Sequence, residues 1–187
     1  MHSTGPYDVS RFTWLQFPSE DSPRLRSATI YAAHDRAFHG VEDARKGLLE
    51  LGASENLADM AWICNHWTLI LWKLCGTLAR GMVSVDPPFA AYEEVFRQLR
   101  LRYQREMELT QRPALRLVLE RDNVPNRFMV LVVLRTPSPS ALQTLREGCH
   151  VVLSDGWYCV QAVMDTALTD CLRSGRIRIG TKLAMSG

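Results

Sequence analysis

The side chains able to do nucleophilic, acid–base or metal chemistry are few and poorly spaced for it. The chain of 187 residues holds five His and five Cys. Cys64 and His66 are one residue apart in a helical run, so they point away from each other and cannot share a metal. Cys149 and His150 are adjacent in a strand-like run and diverge for the same reason. His34 and His39 lie five apart beside Asp35, in a segment of weak periodicity. Nothing matches a phosphate-cradling Gly-rich loop, a metalloprotease helix motif or a nucleophile elbow. The expectation is a protein with no enzymatic activity, no cofactor and no metal. Each Cys reads as a small buried apolar residue, and an odd count without paired spacing fits a reducing compartment.

What remains is recognition chemistry, and two features carry it. Trp62, Trp67 and Trp72 step by five residues, about 140° each on a helix, so they spread around its circumference. With Ile63, Leu69, Ile70, Leu71 and Leu74 they make a helix that is apolar nearly all round and must be covered nearly all round. It is either a central core helix or one partly covered by another protein, and Asn65 and His66 then need hydrogen-bond partners. The second feature is Arg97, Arg100, Arg102 and Arg105, interleaved with Glu94, Gln98, Glu106 and Glu108. This is a solvated charged face, or a surface for an acidic protein or a nucleic-acid backbone.

These features need elements to hold them. The polar break from Pro18 to Pro23 and the aromatics Phe12, Trp14 and Phe17 mark residues 1–40 as an extended, partly ordered arm. A first helix begins near Val41, with Glu42 and Asp43 at its positive end, and stops at Gly52. Ser54 is a plausible N-cap for the second helix, about 55–80, which Gly81 ends before the Asp86-Pro87-Pro88 break. A third helix over about 89–110 places Phe96, Leu99, Tyr103 and Met107 on one face. Arg112-Pro113 starts a fourth, with Leu115, Val118 and Leu119 as its stripe and its end near Asp122.

The period then changes. Phe128–Leu134 reads as a strand, followed by a Pro/Ser loop at 136–140. Val151–Leu153 and Trp157–Val163 flank Asp155-Gly156, a two-residue hairpin signal. Tyr158, Val160, Ala162 and Met164 share its apolar face, and Trp157 lies on the mixed one. Thr166–Arg173 is a short helix closed by Ser174-Gly175, with strand material at Arg176–Ile179 and Lys182–Ala184. The fold class is α+β: an arm at 1–40, a mostly α-helical domain at 41–125, and a small β-rich unit at 126–187, which a family resemblance implies is a partial OB-type β-barrel.

Composition limits the function classes. An apolar share of 47% is that of a folded chain, and a net charge of +2 is too small for a strongly basic nucleic-acid module. No run of 18 apolar residues predicts a membrane span, and Met1–Pro6 does not read as a secretory signal. The positive excess lies late: residues 1–87 carry 8 basic and 10 acidic groups, 88–127 carry 8 and 6, and 128–187 carry 6 and 4.

Four blocks in order give a resemblance. Trp62-Ile63-Cys64-Asn65-His66-Trp67 running into Ile70-Leu71-Trp72-Lys73-Leu74 resembles the helical domain of the breast cancer type 2 susceptibility protein family. Leu99–Tyr103 through Glu106 is similar to its basic-Tyr helix, and Arg112 to Glu120-Arg121-Asp122 to its following short helix. Leu153–Tyr158 with Val160 and Ala162, then Leu172–Ile177 and Gly180–Leu183, are similar to its first OB fold. The resemblance implies a nuclear role in double-strand break repair by homologous recombination. It implies a partner, a small acidic intrinsically disordered protein related to the proteasome lid, docking on Trp62, His66, Trp67, Lys73, Arg97, Arg100 and Arg105. It also implies single-stranded DNA binding by the parent protein. Contact with a RecA-like recombinase would run through regions absent from this chain. Within this chain Trp157, Arg176, Arg178 and Lys182 are the DNA candidates, although Trp157 also suits packing against the helices. A five-stranded barrel needs more chain than 126–187, so the expectation is a fragment, or strands supplied by another polypeptide. The alternative function is a stand-alone single-stranded-DNA-binding OB module.

Overall fold

A computed structural model describes residues 12–18, 24–81, 92–124, 128–144 and 148–186. The chain divides into two compact units, Met1–Gln111 and Arg112–Gly187. The first is organised around the apolar helix. Its elements are β1 (Leu15–Gln16), β2 (Thr29–Tyr31), β3 (Phe38–His39), α1 (Val41–Glu50), α2 (Met60–Ala79) and α3 (Tyr92–Tyr103). α3 runs into one π-helical turn at Gln104–Glu108. Thirteen of the twenty residues of α2 are buried, so it is covered on nearly every side, as its composition demands.

Part of that cover comes from the N-terminal segment. Phe12, Trp14, Leu15, Leu25, Ala28, Ile30 and Ala32 are buried in one core with Ile63, Trp67, Ile70 and Leu71 of α2, Leu48 of α1 and Leu99 of α3. The described residues of 12–40 are therefore not an arm. They form a small antiparallel sheet, ordered β1-β2-β3, whose apolar residues are too closely spaced by turns to show a period. The Ser19–Pro23 part of the polar break lies outside the described residues.

α2 starts at Asp59, not Ser54. The Asp59 carboxylate accepts from the Trp62 amide at 2.7 Å, while Ser54 closes a separate turn through its carbonyl. The Phe89 start predicted for the third helix also falls outside the described residues. Its buried stripe is Tyr92, Val95, Leu99, Arg102, Tyr103 and Glu106, rotated from the expected one, so Phe96 and Met107 are only partly buried.

The second unit contains α4 (Ala114–Leu119), β4 (Met129–Arg135), α5 (Pro139–Thr144), β5 (Cys149–Ser154), β6 (Cys159–Met164), α6 (Thr166–Arg173) and β7 (Lys182–Met185). Its strands make one antiparallel sheet ordered β6-β5-β4-β7, and among the described residues it does not close into a barrel. Leu131, Val133, Cys149, Val151, Leu153 and Met164 face the core, with Val160 and Ala162 packed against it. The apolar face expected for β6 is thus the inner one.

α4 belongs here because Leu115 is buried in this core. Val118 is half-buried and Leu119 is 50% exposed, so the predicted stripe narrows to one residue. The following Glu120-Arg121-Asp122 has a local purpose. Glu120 and Asp122 both hold Arg112, and Glu120 also accepts from Arg116 at 2.7 Å. The Arg116 contact holds the Glu120 carboxyl below the usual carboxylate range.

Three local expectations change. The 136–140 loop gives way to α5, because the Ser138 hydroxyl accepts from the Ala141 amide and Pro139 takes the first helical position. Arg176–Ile179 is not a strand: Ile177 is buried and its amide caps the end of α6 at the Cys171 carbonyl. The hairpin loop has four residues, not two, since Ser154 pairs with Cys159. Only Gly156 in it has positive φ, at 91°.

Asp155 builds that loop. One carboxylate oxygen accepts from the Trp157 and Tyr158 amides, both at 2.9 Å, and the other from the Leu115 amide of α4 at 3.0 Å. The side chain therefore shapes the loop and ties α4 to the sheet. Asp155→Ala is expected to destabilise the second unit by about 2 kcal/mol, the range for a bond to a charged group. Hydrogen exchange of the β5 and β6 amides under increasing urea measures this, and unchanged protection would refute it.

Candidate functional site

His66 and the Trp62 indole of α2 meet α3 and its π-helical extension. Arg102 lies 3.0 Å from His66 Nδ1. A guanidinium only donates, so Nδ1 accepts and the His66 proton sits on Nε2. Nε2 faces the Glu106 carboxylate at 3.3 Å, with both side chains fully buried. The same oxygen of Glu106 accepts from the Trp62 indole at 2.9 Å. Trp62 also packs on His66, with ring centroids 4.2 Å apart, and edge-on against Tyr103.

Arg102 and Glu106 are 7% and 2% exposed, so they are interior groups and not part of a solvated face. Their positions follow the spacing of Leu99, one and two helical turns on, which is the signal that marks them. The Tyr103 hydroxyl completes the arrangement by accepting from the Ser54 amide at 2.8 Å.

The expected docking residues divide accordingly. Trp62, His66 and Trp67 are core, at 8%, 0% and 0% exposure, and present no outer surface. Lys73, Arg97, Arg100 and Arg105 are exposed. Arg97 is clamped by Glu94 through two bonds of 2.7 and 2.8 Å, which hold the Glu94 carboxyl below its usual range. Lys73 adds to that lowering from across α2. Arg100 makes no ion pair among the described residues.

Arg100 lies beside two concavities. One, of about 380 Å³, is lined by Tyr92, Phe96, Gly47, His34, Glu93, Arg97 and Arg100. Its floor is aromatic, with Tyr92 and Phe96 stacked at 5.8 Å. The other, of about 80 Å³, lies between Leu48, Leu51, Ala53, Tyr103 and Arg100. Arg105 lines neither.

In the second unit the four DNA candidates are not brought to one point. Lys182 pairs with Val132, as does Ser154 from the other side. The register sends the Asp155–Tyr158 loop toward the Met129 side of that row. Thr181 bonds Val133 and so lies on the opposite side, with Arg178 and Arg176 preceding it. Trp157 is half-buried; Arg176, Arg178 and Lys182 are exposed.

No described helix is long and apolar enough to cross a membrane. Burial pushes the Cys75 thiol up to about 12 and Cys159 up to about 11, the opposite of an activated nucleophile.

Residues 113–187 match the family model described as "BRCA2, oligonucleotide/oligosaccharide-binding, domain 1". The match begins one residue inside the second unit, so two independent boundaries agree. The chain is also similar to two Arabidopsis thaliana proteins. The first, Protein BREAST CANCER SUSCEPTIBILITY 2 homolog B, is 31% identical over 155 residues, which cover 79% of this chain and 13% of the relative. The second is homolog A, 30% identical over 155 residues, with 79% of this chain and 14% of the relative covered. The chain belongs to the breast cancer type 2 susceptibility family. It spans about an eighth of the length of these relatives, and the α+β order of a helical unit before an OB-domain sheet is that expected from the resemblance.

Within the first unit the buried chain Arg102–His66–Glu106–Trp62 is the feature most sensitive to mutation. Glu106→Gln removes the buried carboxylate that the Trp62 indole and His66 Nε2 face and is expected to cost about 3 kcal/mol. Trp62→Phe keeps most of the ring but leaves a carboxylate oxygen short of a donor, for about 1–3 kcal/mol. Urea unfolding monitored by circular dichroism measures both. A Glu106→Gln variant as stable as the parent chain would refute the assignment.

Proposed function

We propose that this chain is a docking platform within a recombination mediator, acting in the nucleus in double-strand break repair by homologous recombination. Its first unit receives a small acidic, intrinsically disordered protein of the kind related to the proteasome lid. The observation that carries this reading is Arg100, an exposed cation at the rim of two concavities, beside the aromatic floor of Tyr92 and Phe96. An aromatic side chain of a disordered ligand would enter the groove while a neighbouring carboxylate meets the guanidinium. Arg97 lines the larger concavity too, already paired with Glu94. A disordered ligand loses chain entropy on binding, so it gains most from such spaced anchors over a long surface.

Calorimetry with the acidic partner tests it. Arg100→Glu is expected to weaken binding at least about tenfold, or about 1.4 kcal/mol, without loss of helical signal. Binding unaffected by Arg100→Glu, or none by the folded parent chain, overturns the reading.

A second reading, single-stranded DNA binding by the second unit, is favoured by the exposure of Arg176, Arg178 and Lys182 in an OB-domain match. It supports, within the parent protein, the delivery of a recombinase to DNA. The expected outcome is oligo-dT binding that weakens with salt, at a slope near −0.7 per neutralised phosphate. Trp157→Ala should cost about 1–3 kcal/mol of that affinity, the worth of one stacked base. A flat salt dependence, or an inert Trp157→Ala, removes it.

A further inference from the structure

His34, Asp35 and His39 are brought together by the β2–β3 hairpin. The Ala32 amide bonds the Ala37 carbonyl at 2.8 Å, and Arg36 takes a left-handed conformation at φ 59° to close the turn. One Asp35 oxygen accepts from the Ala37 amide at 3.1 Å, which orients the carboxylate. The other oxygen is left facing two imidazoles, 2.7 Å from His39 Nε2 and 3.5 Å from His34 Nε2. The three residues each offer one ligand atom, all within 4.8 Å of one another.

The opposite edge of each ring carries the second observation. His34 Nδ1 is 2.8 Å from a Glu93 oxygen of α3, and His39 Nδ1 is 3.7 Å from an Asp43 oxygen of α1. His34 thus turns Nε2 inward and Nδ1 onto a carboxylate, the arrangement by which metal-binding His residues are oriented and made more basic, while His39 has only the longer ionic approach to Asp43, whose oxygen accepts from the Gly40 amide. The His39 ring is further held against Tyr92, centroids 4.8 Å apart. Glu93 is itself anchored by the Ala33 and His34 amides at 3.0 and 3.2 Å.

Charge points the same way. Asp35, Asp43 and Glu93 gather three carboxylates within this small region. Among the described residues none is paired with a Lys or Arg; their ionic partners are His34 and His39. A divalent cation would neutralise that excess.

We propose that His34, His39 and Asp35 bind a zinc ion through the two Nε2 atoms and one carboxylate oxygen, with water in the fourth position. A tetrahedral ion with ligands at about 2.0–2.1 Å sets them roughly 3.3 Å apart. The 3.5 Å separation already fits, the 2.7 Å one opens by about half an ångström, and the two Nε2 atoms, which lie within 4.8 Å of each other, close to the same spacing by rotation of the exposed His34 side chain. Glu93 and Asp43 are positioning residues for the two rings. The ion staples the β2–β3 hairpin, and Glu93 on the His34 ring links it to α3.

Zinc chloride titrated by calorimetry into the full, tag-free chain tests this, followed by cobalt(II) absorption. The expected result is one ion per chain. His34→Ala removes the event; its side chain is 59% exposed, so the fold is not at stake, and circular dichroism verifies that. Glu93→Gln keeps the stoichiometry but weakens binding about 10- to 100-fold, the effect of losing an outer-shell partner. Cobalt gives a d–d band without thiolate charge transfer. Absence of a one-to-one event, a titration unchanged in His34→Ala, a Glu93→Gln variant that binds as the parent chain does, or a thiolate band from the five cysteines would overturn the site.

Discussion

The buried chain Arg102–His66–Glu106–Trp62 is the constraint on which the first unit depends. α2 cannot be covered without burying His66, whose imidazole meets Arg102 at Nδ1 and has the Glu106 carboxylate facing Nε2. Those partners must come from one neighbouring helix in one register, because a shift by a single residue would swing Arg102 or Glu106 away by about 100°. The α2–α3 pairing is therefore specified by polar groups in a core that is otherwise apolar and tolerant of sliding. The same register carries Arg97 and Arg100 to the outside, above Tyr92 and Phe96. The candidate surface is thus a consequence of the buried network, although it shares no residue with it. The π-helical turn at Gln104–Glu108 belongs to this arrangement, since it is the turn that delivers Glu106.

Legibility in the sequence followed the range of the interactions. α2, β4, α6 and the inner face of β6 were plain, because each is a run long enough to display its own period. The Asp165 cap of α6 is a further local signal, its carboxylate accepting from the Leu168 amide at 2.8 Å. The N-terminal sheet was not legible. Its strands are two or three residues long and exist only because α2 offers a surface for Trp14, Leu25 and Ile30. The hairpin was half legible: Asp155-Gly156 marks the turn, but its four-residue form depends on α4 offering the Leu115 amide to Asp155. The site shows the same division. Arg97 and Arg100 read correctly as surface cations. Trp62, His66 and Trp67 form a motif plain in the sequence, but their burial makes them frame and not surface. Arg102 and Glu106 carry charge yet keep the helical spacing of Leu99, and the spacing decides their burial.

The two units solve the covering problem differently. In the first, a helix apolar on all sides is enclosed by elements from before and after it in the chain. In the second, an open four-stranded sheet covers its inner face with α4, α6 and its own curvature, helped by an extra residue in β4 between Val133 and Arg135. Its outer face keeps Phe128, Val130 and Val163 at 72%, 50% and 64% exposure. That face carries apolar residues where an ordinary half-buried strand carries polar ones. A closed five-stranded barrel has no free edge, whereas among the described residues β6 and β7 are the edges of this sheet.

The electrostatics of α3 bear on how a ligand would lie along it. Its first turn holds Glu93 and Glu94, and its last holds Arg100 and Arg102, in the sense the helix dipole favours. Asp35, Asp43 and Glu50 reinforce the acidic end. Burial first, and then these carboxylates with Glu93, push the Tyr92 phenol up to about 12. Tyr92 and Arg100 are eight residues apart, about 12 Å along the axis. The groove is therefore basic at one end and acidic at the other. Under the proposed docking, an acidic chain would place carboxylates at the Arg100 end and its uncharged part on Tyr92 and Phe96. A cation held by His34, Asp35 and His39 would soften that polarity, because His34 and Glu93 line the same groove. The metal would then act on the ligand at a distance, through charge, by weakening the repulsion at the end where the ligand's own carboxylates are least welcome.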